Sequence, residues 1–319
     1  MPRYKLTLRY DGTDFCGWQK QEQHATPEAL ARIARPGHPL GELRDEGKIH
    51  LRTVQDVLER AVRQVVREPI VLMGASRTDA GVHAEGQVAA FTCTAHEERG
   101  RGWPLDRGLD SLRLAINSRL PDDVRVRTVE PAAHDFDPIR GATSKAYRYT
   151  IHAGRDHPLW DRRYVYAAPY ALDARAMHEA AQKLVGEHDF LGFTAADHGR
   201  LTTVRTIFYC NVAEQPQADQ SGPDHTEHEA PAQRITIDVA GSGFLYNMVR
   251  IIAGTLLEVG RGRLDPARID EALATQDRTK AGPTLPPEGL RLEWIRYGGS
   301  AIRDQPSAIR DASTPTPDG

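Results

Sequence analysis

The sequence predicts an α+β protein built from two tandem β-α-β-β-α-β units. Three observations carry that reading. Residues 4–10 alternate, with Tyr4, Leu6, Leu8 and Tyr10 on one side and Lys5, Thr7 and Arg9 on the other, the period of a half-buried strand. Residues 54–67 place Val54, Val57, Leu58, Ala61, Val62, Val65 and Val66 at helical spacing. The same succession of strand-like and helix-like patterns then returns in the second half of the chain.

The elements follow in order. Thr53 with Asp56 reads as a capping box opening the first helix. Residues 70–73 and 87–93 read as strands. Leu109, Leu112, Ile116 and Leu120 define a helix stopped by Pro121, and residues 124–129 close the unit as a strand. The second unit opens with alternation over residues 145–152. Asp173 caps a helix through Met177, Ala180, Ala181, Leu184 and Val185, with Gly186 at its C′ position. Residues 203–212 and 234–239 read as strands. An apolar helix covers residues 245–259 and ends at Gly260. A short helix starts at Asp265-Pro266 with Pro at its first position, and residues 290–297 close as a strand.

Two such units are expected to be split-βαβ halves of the ferredoxin- or RRM-like kind. They should form a mixed, largely antiparallel sheet with helices on one side and a central cleft. The N-terminal half is placed at 1–133, with an insertion at 25–50 rich in Pro, Gly and mixed charge. The C-terminal half is placed at 134–298, with an acidic insertion at 211–233. Residues 299–319 lack periodicity and read as a disordered tail.

Composition narrows the function classes. The chain has 319 residues and 39% hydrophobic content, enough for a real core. No stretch reaches the roughly 18 apolar residues of a membrane span, and the N-terminus alternates charged with apolar residues, unlike a signal peptide. A soluble cytoplasmic protein is expected. Cys16, Cys93 and Cys210 are odd in number and widely spaced, without C-x-x-C, which disfavours a disulfide framework and a cysteine zinc site. His225 and His228 lie three apart in the acidic insertion, but no second ligand pair is near in sequence, so no metal is expected. The net charge of −3 argues weakly against nucleic-acid binding. The insertion at 211–233, however, carries Glu214, Asp219, Asp224, Glu227 and Glu229 with no Lys or Arg. The remaining body is modestly basic and compatible with an RNA face.

Three segments could carry chemistry. Ser76-Arg77-Thr78-Asp79-Ala80-Gly81-Val82-His83 lies between two predicted strands. Asp-Ala-Gly suits a plain turn; the crowding of Arg, Thr, Asp and His beside a glycine instead suggests a site, with Arg77 on a phosphate while the carboxylate does chemistry. Thr143-Ser144-Lys145-Ala146-Tyr147-Arg148-Tyr149 alternates bases and aromatics. It reads either as an ordinary strand or as a nucleic-acid face, with a ring stacked on a base and Lys145 or Arg148 on the backbone. Gly241–Arg250 leads from a strand into the most apolar helix. Met248, Val249 and Ile252 read as core. Arg250 needs a carboxylate partner if buried, and Asp79 is the candidate.

Together these segments resemble the TruA family of tRNA pseudouridine synthases, from Tyr10 to Tyr297. Tyr10-Asp11-Gly12-Thr13-Asp14-Phe15-Cys16-Gly17-Trp18-Gln19 is similar to the family's YDG-x-x-F-x-GWQ. Arg77-Thr78-Asp79-Ala80-Gly81-Val82-His83 is similar to its RTDAGVH, a specific motif at seven residues. Thr53-Val54-Gln55, Gln87-Val88, Phe91, Tyr147-Arg148-Tyr149, Asp189-Phe190 with Phe193, Met248-Val249-Arg250, Asp277-Arg278-Thr279 and Glu288-Gly289-Leu290 follow in family order. The chain departs from the pattern at Ser76, where the family usually has Gly, at Asp137-Pro138-Ile139-Arg140, where it often has H-x-R, and in the insertion at 25–50.

The resemblance implies a cytoplasmic homodimer that needs no cofactor or metal. It implies conversion of uridine to pseudouridine at positions 38, 39 and 40 of the tRNA anticodon stem-loop. The nucleotide must leave the helix to be reached. The implied catalytic set is Asp79 as nucleophile, Tyr147 stacked under the flipped base and relaying the C5 proton, and Arg250 keeping Asp79 ionised against burial. Arg77, Thr78, His83, Lys145 and Arg148 are the implied substrate contacts. An N-ribosyl hydrolase would share the C–N cleavage but release uracil. A non-catalytic tRNA-binding or folding module would keep the basic aromatic face without needing Asp79.

Overall fold

The computed structural model describes residues 1–33, 41–44, 47–95, 100–195, 202–215 and 232–298. Strand β1 (Arg3–Tyr10) buries its alternate residues, as its period requires. The insertion that follows has structure of its own: β2 (Glu22–His24), α1 (Pro27–Ile33), β3 (Gly41–Arg44) and β4 (Lys48–Leu51), with β4 central in a separate three-stranded antiparallel sheet. The Pro and Gly content of the segment hides these short strands from a periodicity reading.

Helix α2 (Val54–Val66) starts where expected, with the Thr53 side chain accepting from Asp56 N–H. Only half of a capping box forms, because the Asp56 carboxylate pairs with Arg60 one turn on. The strand expected over 70–73 shrinks to β5 (Met73–Gly74). The cause is α2: Arg63 donates twice to the Ile70 carbonyl, Glu59 accepts from Leu72 N–H, and Gln55 donates to the Leu72 carbonyl. Side chains satisfy the backbone there, so no ladder is needed. Then come β6 (His83–Thr92), α3 (Leu109–Asn117) and β7 (Val124–Ala132). Helix α3 ends before Leu120 because the Asn117 amide turns to both backbone groups of Val126.

The second half opens with β8 (Ala142–Ala153), followed by an unexpected short β9 (Tyr166–Ala168) parallel to it. Helix α4 (Ala174–Ala181) is capped by Asp173 as expected but tightens into a 3₁₀ turn over Gln182–Leu184. Gly186, at φ +114, therefore opens β10 (Gly186–Asp189) rather than capping the helix. Strands β11 (Val204–Gln215) and β12 (Gln233–Gly241) form the hairpin of the acidic insertion, most of which, like the tail from 299, lies outside the described residues. Helix α5 (Met248–Gly260) begins later than expected, because Asn247 takes a left-handed conformation at φ +59. Gly260 is its last residue, as expected. Helix α6 (Ala267–Thr275) begins just after Pro266, and β13 (Leu290–Tyr297) is the last described element.

One large mixed sheet runs β10-β11-β12-β8-β13-β6-β1-β7, with β5 on β6 and β9 on β8. The helices pack on one face of it. Every long pairing on this path is antiparallel except the seam, where β13 lies parallel to β6 through only Arg291–His83 and Leu292–Ala84. The core lies between sheet and helices, around Tyr4, Leu6, Leu8, Phe91, Tyr149, Ile151, Phe190, Phe193 and the buried side of α5.

Candidate active site

The Ser76–His83 loop connects β5 to β6 and enters the sheet beside the seam. Backbone contacts clamp it to the segment after β1. Trp18 N–H donates to the Thr78 carbonyl at 3.0 Å, and Gly81 N–H to the Phe15 carbonyl at 3.3 Å. Gly17, at φ +88, lies so close that an added Cβ would sit 2.8 Å from the Thr78 carbonyl oxygen. The glycines of the first motif are thus explained by close approach of two backbones.

Behind the loop lies a buried polar network. The fully buried Gln87 accepts from Ser76 N–H at 3.2 Å and donates to the Ser76 carbonyl at 2.7 Å. Its amide also reaches the Tyr10 hydroxyl, which bonds Thr78 Oγ1 at 2.8 Å. Ser76 Oγ is 3.0 Å from the Tyr147 hydroxyl, and Lys145 Nζ donates to the Ala75 carbonyl at 2.8 Å. The Ala75–Thr78 end of the loop is therefore fixed by one buried network.

Asp79 projects into a recess, its side chain 29% exposed. Arg250 Nη1 stands 3.4 Å from its carboxylate. The guanidinium is held more firmly elsewhere: its Nε donates to the Leu285 carbonyl at 2.6 Å and its Nη1 to Asn247 Oδ1 at 2.9 Å. Burial raises the Asp79 pKa above the ordinary carboxylate range, and the opposing pull of Arg250 does not cancel it. Tyr147 is buried against the edge of Phe244, at 5.2 Å between centroids. Burial, with the Asp79 charge adding and the Ser76 hydrogen bond opposing, pushes its phenol up to about 12.

The other expected contacts divide. Thr78 is buried and holds the loop. Arg77 is exposed and, among the described residues, has no hydrogen-bond or ion-pair partner. Lys145 shares Tyr147's face of β8, with its ammonium on the loop. Arg148 does not join them. Strand alternation sends it to the opposite face, where its guanidinium forks onto Asp238 at 2.7 and 2.9 Å. His83 is buried behind the loop. Its Nδ1 accepts from Gly12 N–H at 3.0 Å and also lies 3.2 Å from Asp11. One nitrogen cannot serve both at once. We favour the Gly12 bond, because Thr13 and Tyr164 already supply Asp11 with donors.

Among the described residues, no three His, Cys, Asp or Glu side chains come together as metal ligands would, and no helix is long and apolar enough to cross a membrane. His225 and His228 lie outside the described residues.

This clamped carboxylate beside an arginine and a buried tyrosine sits in a chain with close relatives. A model of a family described as tRNA pseudouridine synthase matches residues 180–298. The tRNA pseudouridine synthase A of Geobacter sulfurreducens is 37% identical over 93% of this chain and 100% of its own length. That of Caldicellulosiruptor bescii is 35% identical over 92% and 98%. The tRNA pseudouridine synthase A 1 of Bacillus cereus is 35% identical over 93% and 99%. The chain belongs to the tRNA pseudouridine synthase A family. In this family member the sequence reading brought Asp79, Arg250 and Tyr147 to one recess, and it missed what holds them. Asn247 offered a signal, as a short amide residue suited to a left-handed cap beside an arginine. The Leu285 carbonyl and the bridging role of Gln87 offered none, because each depends on segments that meet only in the fold.

Proposed function

We propose that this chain isomerises uridine to pseudouridine in tRNA, at positions 38, 39 and 40 of the anticodon stem-loop. The observation that carries the reading is the desolvated Asp79 carboxylate facing Arg250 beside the ring of Tyr147. The reaction breaks C1′–N1, turns the uracil, and joins C5 to C1′, with the C5 proton lost at the end. It is redox-neutral and transfers nothing to a second molecule, so side chains suffice for it.

In this reading Asp79 is the nucleophile that promotes C1′–N1 cleavage. Arg250 offsets part of the desolvation that disfavours its ionised form. Tyr147 stacks on the flipped base, and its hydroxyl, oriented by Ser76, relays the C5 proton. The exposed Arg77 takes a backbone phosphate. The halves at 1–133 and 134–298 are read as split-βαβ units. Supporting this, β5-β6-β1-β7 and β11-β12-β8-β13 repeat one strand order along the sheet. The family frame adds a cytoplasmic homodimer.

The test is a tRNA transcript tritiated at uridine C5. Wild type should release tritium to water; Asp79→Asn should bind the transcript and release none. Release from the variant would remove Asp79 from the chemistry. Tight binding without release by wild type would leave a tRNA-binding module instead.

A further inference from the structure

The segment between β8 and β9 exposes more aromatic surface than solubility calls for. Trp160 is 92% exposed, the most open large hydrophobic among the described residues, and Leu159 and Tyr164 beside it are exposed too. One exposed apolar side chain needs no explanation, but Leu159, Trp160 and Tyr164 exposed within six residues form a cluster of the kind that marks an interaction site. The segment interleaves these rings with cations: Arg162 and Arg163 follow Trp160, and both are exposed.

This platform is fastened at both sides. Asp161, next to Trp160, is ion-paired with Arg234 on β12. Arg163 pairs with Asp14 at 2.9 Å, the Tyr164 hydroxyl donates to Asp11 at 2.8 Å, and the Tyr164 ring lies 5.1 Å from that of His83. Asp11, Asp14 and His83 flank the two backbone segments that clamp the Asp79 loop. Trp160 thus stands four residues from a side chain touching the Asp79 loop, and the turn over residues 159–164 keeps it within about 14 Å, the extended reach of four residues. Arg163 is spent on the two aspartates, so Arg162, exposed and bonded among the described residues only to the neighbouring Leu159 carbonyl, is the cation beside Trp160 that can turn to a ligand.

We propose that Trp160 and Arg162 form a second RNA subsite outside the Asp79 recess. There Trp160 stacks on a nucleobase of the bound RNA that is not the one modified, and Arg162 meets the adjoining phosphate. Sequence-tolerant stacking on an exposed ring beside a cation is how single-stranded nucleic acid is held. A tethered platform of this kind contributes to binding while leaving the chemical step alone. The proposal rests on the RNA-modifying reading above.

The test uses the full chain and the tritiated tRNA transcript. Trp160→Ala should raise Kd and KM roughly 5- to 100-fold, the range expected for losing one base stack, with kcat at saturating transcript unchanged. Trp160→Phe should recover most of the affinity. Of the chain's four tryptophans, Trp18 and Trp103 are buried and Trp294 lies under Arg296. Transcript should therefore quench the red-edge emission of wild type and leave that of Trp160→Phe unmoved. Wild-type Kd in Trp160→Ala overturns the proposal. So does a drop in molecular mass in solution for that variant, which would make Trp160 a contact between copies of the chain. A wild type that binds no tRNA sinks the functional reading itself, and is told apart because the variants then have nothing to lose.

Discussion

At Asp79 two electrostatic effects oppose each other, and the sequence alone shows only one of them. An arginine in the same constellation suggests a carboxylate held ionised. The recess adds a desolvation cost that the 3.4 Å Arg250 contact, shared with Leu285 and Asn247, does not offset. The pH dependence follows from that sign. Acting as the proposed nucleophile, Asp79 must be ionised, so kcat/KM should fall on the acid side at a pH above the ordinary aspartate value of about 4. Arg250→Gln should move that limb further up, and Arg250→Lys should partly restore it. A limb in the ordinary range would show that the recess does not desolvate Asp79. Stability has the same origin. A carboxyl whose folded pKa is raised favours the fold below its unfolded pKa, and that advantage is lost as pH rises through the folded value. Asp79→Asn should therefore melt at or above the wild-type temperature near neutral pH. The difference should close as pH falls below about 4. Calorimetry across that window reads both ends.

The loop that carries Asp79 is only as well placed as the segment after β1 allows. Gly17→Ala would force a side chain into a left-handed conformation and against the Thr78 carbonyl. It should lower stability by about 1–3 kcal/mol, seen as a shifted urea midpoint without a changed slope. It should also depress kcat more than KM. Elements of this protein were legible wherever one face alone decides them. Alternation fixed β1, β8 and β13, and helical spacing fixed α2. Illegible were the places where distant side chains replace a backbone partner. Strand 70–73 gave way because α2 supplied its hydrogen bonds. The start of α5 slipped because Asn247 turned left-handed to hold Arg250. The site divides the same way. Asp79, Tyr147 and Arg250 each sit in a dense local motif, whereas the opposite direction of Arg148 follows from strand alternation and the Asp238 across from it.

Over the whole molecule, charge is unevenly spread, and RNA binding should reveal it. Affinity for tRNA should fall with salt at a log–log slope of about −0.7 to −0.9 for each phosphate met. Arg77→Ala should flatten that slope by about one contact while leaving the fold intact, since Arg77 has no hydrogen-bond or ion-pair partner among the described residues. A flat response in wild type would mean that phosphates do not drive binding. The sheet has a further consequence. Its central member, β13, is the last strand among the described residues, and both β8 and β6 wait for it. During synthesis on the ribosome, every residue up to Leu290 must emerge before those two strands lose their open edges. Until then a nascent chain carries two unpaired strand borders beside a nearly finished core, the kind of surface that recruits other chains. A protein stalled just short of Leu290 should therefore aggregate or engage chaperones, although all the residues around Asp79 have already been made.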